Sequence, residues 1–162
     1  MSKITDAKLE KLDKPITPVV TPPILMVATK AEDQTLPPST PTLIKGWTET
    51  SDARNLLDAA TGSCMVPETG LYRVDLSLFV YVADPPHNVG DAVSVMLYRN
   101  GVAITSATAH TTGRANAHNI GFSRILKLTK GDTLQPYVVQ YTPVPQRIAG
   151  SQMNNWFSVE RL

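Results

Sequence analysis

The chain has 162 residues, 15 basic and 14 acidic side chains, a formal net charge of +1 and one cysteine, Cys64. That length suits one domain with a real core plus an appendage. Balanced charge leaves no footprint for nucleic acid or an anionic membrane, and a lone cysteine excludes an intrachain disulfide.

Residues 1–14 are polar with mixed charge. Ile4, Leu9 and Leu12 could stripe a short helix, but a lightly structured end is expected. The lysines here have no apolar stretch behind them, so no secretory signal is read. Purely apolar runs such as Ile24 to Ala28 are far too short to span a bilayer. The protein is therefore expected to be soluble. From Pro15 to Pro41 the chain carries more than half of its 13 prolines. Proline blocks helix and central strand, so this stretch is expected to be an extended arm. Aliphatic side chains are interspersed in it, and a surface should cover them. Ile16, Val19, Val20, Ile24 and Leu25 are the candidate anchoring residues. The division expected is an arm over 1–41 (polar to 14, Pro-rich from 15) and a compact domain over 42–162, with a first strand starting from about residue 24.

Leu43 to Thr48 reads as a strand. Ser51 to Ala60 is either a loop or one helical turn capped by Ser51 or Asp52. Pro67 and Gly70 mark a turn before a long strand in which Tyr72, Val74, Leu76, Leu78, Val80 and Val82 recur every second residue. Its other face begins polar, with Arg73, Asp75 and Ser77, and ends aromatic, with Phe79 and Tyr81. Asp84 to Gly90 is a loop, and Ala92 to Tyr98 a strand. Asn100-Gly101 then closes a hairpin onto Val102 to Ala109. Thr111 to His118 is a polar loop, Ile120 to Leu128 a strand, and Thr129 to Asp132 a turn. Thr133 to Tyr141 is a strand with Tyr137, Val139 and Tyr141 on one face. Pro143 to Ser151 is a loop, and Trp156 to Leu162 alternates again. Eight to ten short strands without a convincing helix predict an all-β sandwich.

Four stretches, in this order, resemble the C1q/TNF-like family: Val66-Pro67-x-x-Gly70-x-Tyr72, Leu97-Tyr98-Arg99-Asn100-Gly101, Leu128-x-x-Gly131-Asp132-x-Leu134 and Phe157-Ser158-Val159. The likeness covers roughly residues 24–162. It implies a jelly-roll β-sandwich that assembles as a homotrimer. On that implication Phe79, Tyr81, Tyr137, Val139 and Tyr141 are trimer-interface candidates, because a monomer would expose them. The chain departs from animal members in having no collagen repeat. Its Pro-rich arm is more like the C1q-like trimers of tailed-phage virions.

No catalytic constellation is present. Cys64 reads as a small, partly buried residue. His87, His110 and His118 read as surface histidines. Asp84, Asp91 and Asp132 read as turn residues rather than calcium ligands. The chain is not expected to be an enzyme or to hold a cofactor or metal. The role expected from the resemblance is a homotrimeric capsid decoration protein, of the cement or head-fibre kind. Its arm would be laid against the major capsid protein on the virion surface, after synthesis in the host cytoplasm. The alternative is a fibre-tip module whose apical loops, Asp84–Gly90, Thr111–His118 and Pro143–Ser151, touch a host glycan or surface protein.

Overall fold

The structure, a computed structural model, describes residues 25–81, 91–110 and 117–162. They form thirteen strands: β1 Leu25–Thr29, β2 Gln34–Leu36, β3 Thr42–Leu43, β4 Thr48–Asp52, β5 Leu57–Asp58, β6 Ser63–Met65, β7 Gly70–Tyr81, β8 Ala92–Arg99, β9 Val102–His110, β10 Ala117–Leu128, β11 Thr133–Gln140, β12 Gln146–Ile148 and β13 Trp156–Arg161. There is no helix among the described residues. The sequence expectation of an all-β sandwich holds, with β1 and β2 lying inside the stretch 25–41.

Two sheets stack. In one, β7 is central, with β10 along one side and β13 along the other; β1 and then β4 follow β13. β12 continues the line of β13 beside Val80 and Tyr81, and carries β2 on its far side. The second sheet runs β5-β6-β11-β8-β9, with β3 beside β11 further along than β6. Every ladder among these strands is antiparallel.

Period-two alternation builds the core. Tyr72, Val74, Leu76, Leu78 and Val80 of β7 all point into the sandwich and are at most 1% exposed. They meet Val93, Val95 and Leu97 of β8, Leu134 and Val138 of β11, and Phe157 and Val159 of β13 in one cluster. Pro136 sits inside β11 without breaking it. Its carbonyl accepts from the Ile44 N–H at 3.0 Å, so its nitrogen faces the same side, in the gap between β6 and β3. A strand tolerates proline where no ladder donor is needed.

The loop expected over Pro143 to Ser151 carries a strand, β12 at Gln146–Ile148; the strand expected over Leu43 to Thr48 is also corrected, and the open choice over Ser51 to Ala60 is decided. Strand pairing ends at Leu43 rather than continuing to Thr48. Trp47 instead drops into the core, its indole N–H donating to the Ile44 carbonyl at 3.1 Å. Ser51 to Ala60 is not helical: β4 runs to Asp52, a turn follows in which the Asn55 N–H bonds the Asp52 carbonyl, and β5 begins at Leu57. The Asp52 carboxylate holds the Leu57 N–H at 2.9 Å, so it fixes a turn rather than a helix start.

The strands give the sandwich two distinct ends. At the turn end lie the start of β1, the end of β13, the 66–69 turn, the Asn100-Gly101 hairpin and the 129–132 turn. At the opposite, loop end, β7 and β9 finish and β8 and β10 begin.

Three of the four family-like stretches lock together at the turn end, and the fourth, on β13, runs into it. Asp132 is buried. Its carboxylate accepts from the Thr129 N–H at 2.7 Å, from the Asn100 amide at 2.8 Å and from the Arg99 guanidinium at 2.8 Å. The Asn100 side-chain oxygen in turn accepts from the Thr133 N–H at 2.8 Å. Val66 exchanges backbone bonds with this turn, donating to the Asp132 carbonyl and accepting from the Gly131 N–H, both at 2.8 Å. The Tyr72 hydroxyl donates to the Glu68 carbonyl at 2.8 Å. Arg54 and Arg161 both pair with Glu68, which ties the end of β13 to the same corner. Burial pushes the Asp132 carboxyl up, but the three donors outweigh it and hold it below the usual carboxylate range. The aspartate expected to occupy a turn does so; its oxygens are filled by the chain's own donors.

Cys64 is wholly buried. Burial, with the Asp52 charge, pushes its thiol up to about 12. A thiol that does not ionise is a poor nucleophile. Native protein at pH 8 should therefore give no reaction with a thiol-specific disulfide reagent over an hour, against one equivalent in denaturant. Fast labelling of folded protein would contradict this burial.

Candidate functional site

The candidate surface is the outer face of the β7 sheet. β7 presents Asp75, Ser77, Phe79 and Tyr81 there. The register puts Asn119, Gly121 and Ser123 of β10 on the same face, together with Trp156 and Ser158 of β13 and Val27 and Thr29 of β1. Trp156 stands directly across from Ser77, and Phe79 is the next outward residue. A groove of about 550 Å³ lies among Asp75, Ser77, Asn119, Gly121, Ser123 and Trp156.

Local sequence explains the groove. Ser77, Gly121 and Ser123 are small, so the face is low in the middle and is bounded by larger rings. Gly121 is required by close approach: a Cβ there would lie 2.1 Å from the Leu76 carbonyl oxygen. Any side chain would push β10 off β7 and lift the groove floor. Two hydrogen bonds hold the polar positions in place: Ser77 Oγ to Asn119 Oδ1 at 3.0 Å and Ser158 Oγ to Asp75 Oδ2 at 3.3 Å. Asn155, also buried, fixes the corner beside Phe79 by accepting from the Phe79 N–H at 2.7 Å and donating to the Ala149 carbonyl at 2.7 Å.

The structure divides the interface candidates. Phe79 and Tyr81 are half-buried on this face, with the Arg147 guanidinium 4.8 Å from the Tyr81 ring centre. Tyr137 and Val139 lie on the outer face of the other sheet, opposite Met96 and Ser94. Tyr137 stacks on Tyr98 with ring centres 4.4 Å apart. Val139 is 3% exposed, covered by its own chain, and Tyr141 is 51% exposed just past β11. The five residues therefore do not form one patch. Leu25 is half-buried on the β7-sheet face, opposite Glu160. Ile16, Val19, Val20 and Ile24 lie outside the described residues.

Trp156, Val27, Gly121 and Ile125 were not singled out from the sequence. Ile125 is 61% exposed and Trp156 39%. A signal for Trp156 exists: it is out of phase with Phe157 and Val159, which places a tryptophan on the solvent side of the last strand.

The surface carries no reacting set. Among the described residues no group of three or more His, Cys, Asp or Glu could hold a metal ion. His110 is exposed at the end of β9 and His118 is half-buried near the start of β10; His87 and Asp84 lie outside the described residues. Lys30 is buried and donates from Nζ to the Lys45 carbonyl at 2.6 Å. Burial lowers its pKa against the opposing pull of Glu32 and Asp33. No helix of the described residues is long and apolar enough to cross a membrane.

Solved structures share this architecture. Eiger TNF from S. frugiperda superposes with a TM-score of 0.66 at 16% identity, over 88% of this chain and 94% of that one. Murine APRIL gives 0.63 at 12% identity, over 85% and 98%. The globular domain of zebrafish complement 1qA gives 0.58 at 13% identity, over 86% and 97%. No protein-family model and no curated protein matches the chain. At these identities the likeness concerns the fold: the domain is an all-β jelly-roll sandwich of the TNF and C1q type.

Proposed function

We propose that the chain is a non-enzymatic structural protein. It assembles as a homotrimer through the outer face of the β7 sheet and is held on a capsid shell, as a decoration protein, by its N-terminal arm. One observation carries the self-association: Phe79, Tyr81, Trp156 and Val27 share a grooved sheet face that a monomer would leave in water. Such a face stabilises association when a second copy covers it. The TNF/C1q-type fold agrees with this reading.

The capsid role draws its support from the division of the ends. Residue 25 enters at the turn end, while the strand ends flanking 82–90 and 111–116 gather at the loop end. A chain entry at one end and these gathered strand ends at the other suit a protein that stands on a surface. Three linked arms would multiply a weak single-arm affinity, and binding the assembled shell alone would stabilise it by mass action. The gathering of loop ends also favours a second reading, a receptor-binding module that touches a host glycan or surface protein.

Light scattering of the purified chain should give about 53 kDa, three times 17.6 kDa; a 17.6 kDa species would overturn the trimer. Sedimentation with assembled shells should carry the full chain down and leave residues 25–162 in the supernatant. The cut falls before β1, because deletion to residue 41 would also remove two strands of the sheet. Equal pelleting of both chains would remove the anchoring role. Glycan binding that survives loss of residues 1–24 would select the receptor reading.

A further inference from the structure

One buried amine takes no part in the assembly proposed above. Lys30 follows β1 in phase with Met26 and Ala28, which are core residues. Its side chain therefore enters the sandwich, and the residue is 2% exposed. The root is fixed: the Lys30 N–H donates to the Asn155 carbonyl and the Lys30 carbonyl accepts from the Ser151 N–H, both at 3.2 Å. Lys30 lines a hollow of about 300 Å³ together with Glu32, Asp33, Gln34, Lys45 and Gly46.

Few acceptors reach the nitrogen. Nζ donates to the Lys45 carbonyl at 2.6 Å, and among the described residues no ion pair includes it. Glu32 stands across the hollow: a Cβ on Gly46, whose φ is +70°, would lie 3.3 Å from Nζ and 3.9 Å from Glu32 Oε2. The Asp33 carboxylate is already taken by Arg147 and by the Gly150 N–H at 2.7 Å. Gln34 holds the acceptor in place, donating to the Leu43 carbonyl at 2.7 Å and accepting from the Lys45 N–H at 3.1 Å. The 151–155 segment, packed against the Lys30 backbone, adds no ionisable group. An ammonium carries three donors, and a buried charge so thinly bonded is costly. A neutral amine uses one hydrogen on the Lys45 carbonyl and keeps its lone pair. Burial accordingly lowers the Lys30 pKa, against the opposing pull of Glu32 and Asp33.

We infer that Lys30 is a site of covalent modification, an amine that takes a small uncharged aldehyde from this hollow as an imine. The nitrogen lone pair attacks the carbonyl carbon and a proton passes from nitrogen to oxygen. Water then leaves as the C=N bond forms, and protonation of the imine restores the single positive charge. Conservation of that charge selects an aldehyde over an acyl donor: acylation would remove the charge that Glu32 and Asp33 favour. An uncharged reagent also meets no like charge from Glu32 or Lys45 on its way in. The inference is independent of the trimer and of the capsid role.

The test treats the full chain at pH 7 with acetaldehyde and sodium cyanoborohydride, which traps the imine as an ethylamine, and locates the product by peptide mass spectrometry. Lys30 should be alkylated roughly fivefold or more faster than the exposed Lys127 and Lys130. The ratio should narrow towards about pH 10, where solvated amines also lose their protons. Glu32 is exposed, so Glu32→Gln leaves the fold alone while removing a charge that favours the ammonium. In that chain Lys30 should react about twofold faster at pH 7 with Lys127 unchanged. This response separates a reactive amine from one that only ties the end of β1 to the 44–46 segment. A Lys30 rate at or below that of Lys127 at pH 7, or an unchanged Lys30 rate in Glu32→Gln, overturns the proposal.

Discussion

Asp132→Ala should lower the melting temperature by roughly 6–12 °C, a loss of about 3 kcal/mol at ~2–4 °C per kcal/mol for a chain of this size. The carboxylate is buried and accepts from Thr129, Asn100 and Arg99. Removing it strands a main-chain N–H and an amide, and leaves a guanidinium without its partner. The effect should spread, because Asn100 positions Thr133 and the same turn bonds Val66. Asp132→Asn keeps the shape and loses the charge, so it should fall between wild type and alanine. The pH dependence separates charge from shape. The folded-state pKa lies below the ordinary carboxylate value, so this stabilisation is complete above about pH 4 and is lost as pH falls through the folded value. Calorimetry of the Asp132→Asn chain should show a flatter decline of stability below pH 4. A melting temperature within 1–2 °C of wild type for Asp132→Ala (roughly 0.5 kcal/mol) would mean the latch contributes little.

The second large effect is on assembly. Phe79→Asp should convert the proposed trimer of roughly 53 kDa into chains of 17.6 kDa with an unchanged β-sheet circular dichroism spectrum. Phe79 points out of the sandwich between Ser77 and Tyr81, away from the core of Leu76, Leu78 and Val80. A carboxylate there is solvated in the monomer and costs about 3 kcal/mol or more when a second copy covers it. At 1.4 kcal/mol per tenfold, one such contact weakens association about a hundredfold, and a trimer repeats it three times. Val139→Asp would be a poor probe: Val139 is already covered by its own chain, so a charge there attacks the fold. A stable trimer from Phe79→Asp would remove this sheet face from the assembly.

Much of the architecture was legible in the amino-acid order. β7 follows from the two-residue recurrence of Tyr72 to Val80, and the β8–β9 hairpin from Asn100-Gly101, whose φ values of +51° and +81° fit a twisted two-residue turn. The turn before β11 follows from Gly131-Asp132. These signals are local: strand periodicity and turn chemistry act over fewer than a dozen residues, so a linear reading captures them. Met26 and Ala28 are core residues of β1, where a first strand was expected from about residue 24, but its pairing was not legible, because its partner strand, β13, lies more than a hundred residues away.

Distance along the chain also hid the surface. Phe79 and Tyr81 shared an outward parity with Tyr137 and Val139 in sequence, yet parity is defined within one strand. Which sheet a strand joins, and hence which side of the molecule its outward residues face, depends on long-range pairing. That pairing sets β7 between β10 and β13 and β11 beside β8, so the two pairs look in opposite directions. It also brings Gly121, Ser77 and Trp156 to one groove, and closes Asp132 with donors from Arg99 and Asn100. The sequence by itself determined the long strands, their inward faces and the Asn100-Gly101 and Gly131-Asp132 turns, because those follow from side-chain alternation and backbone preference. The tertiary structure alone decided which outward residues meet and which polar groups are satisfied, because both are set by hydrogen-bonded register between segments far apart in the chain.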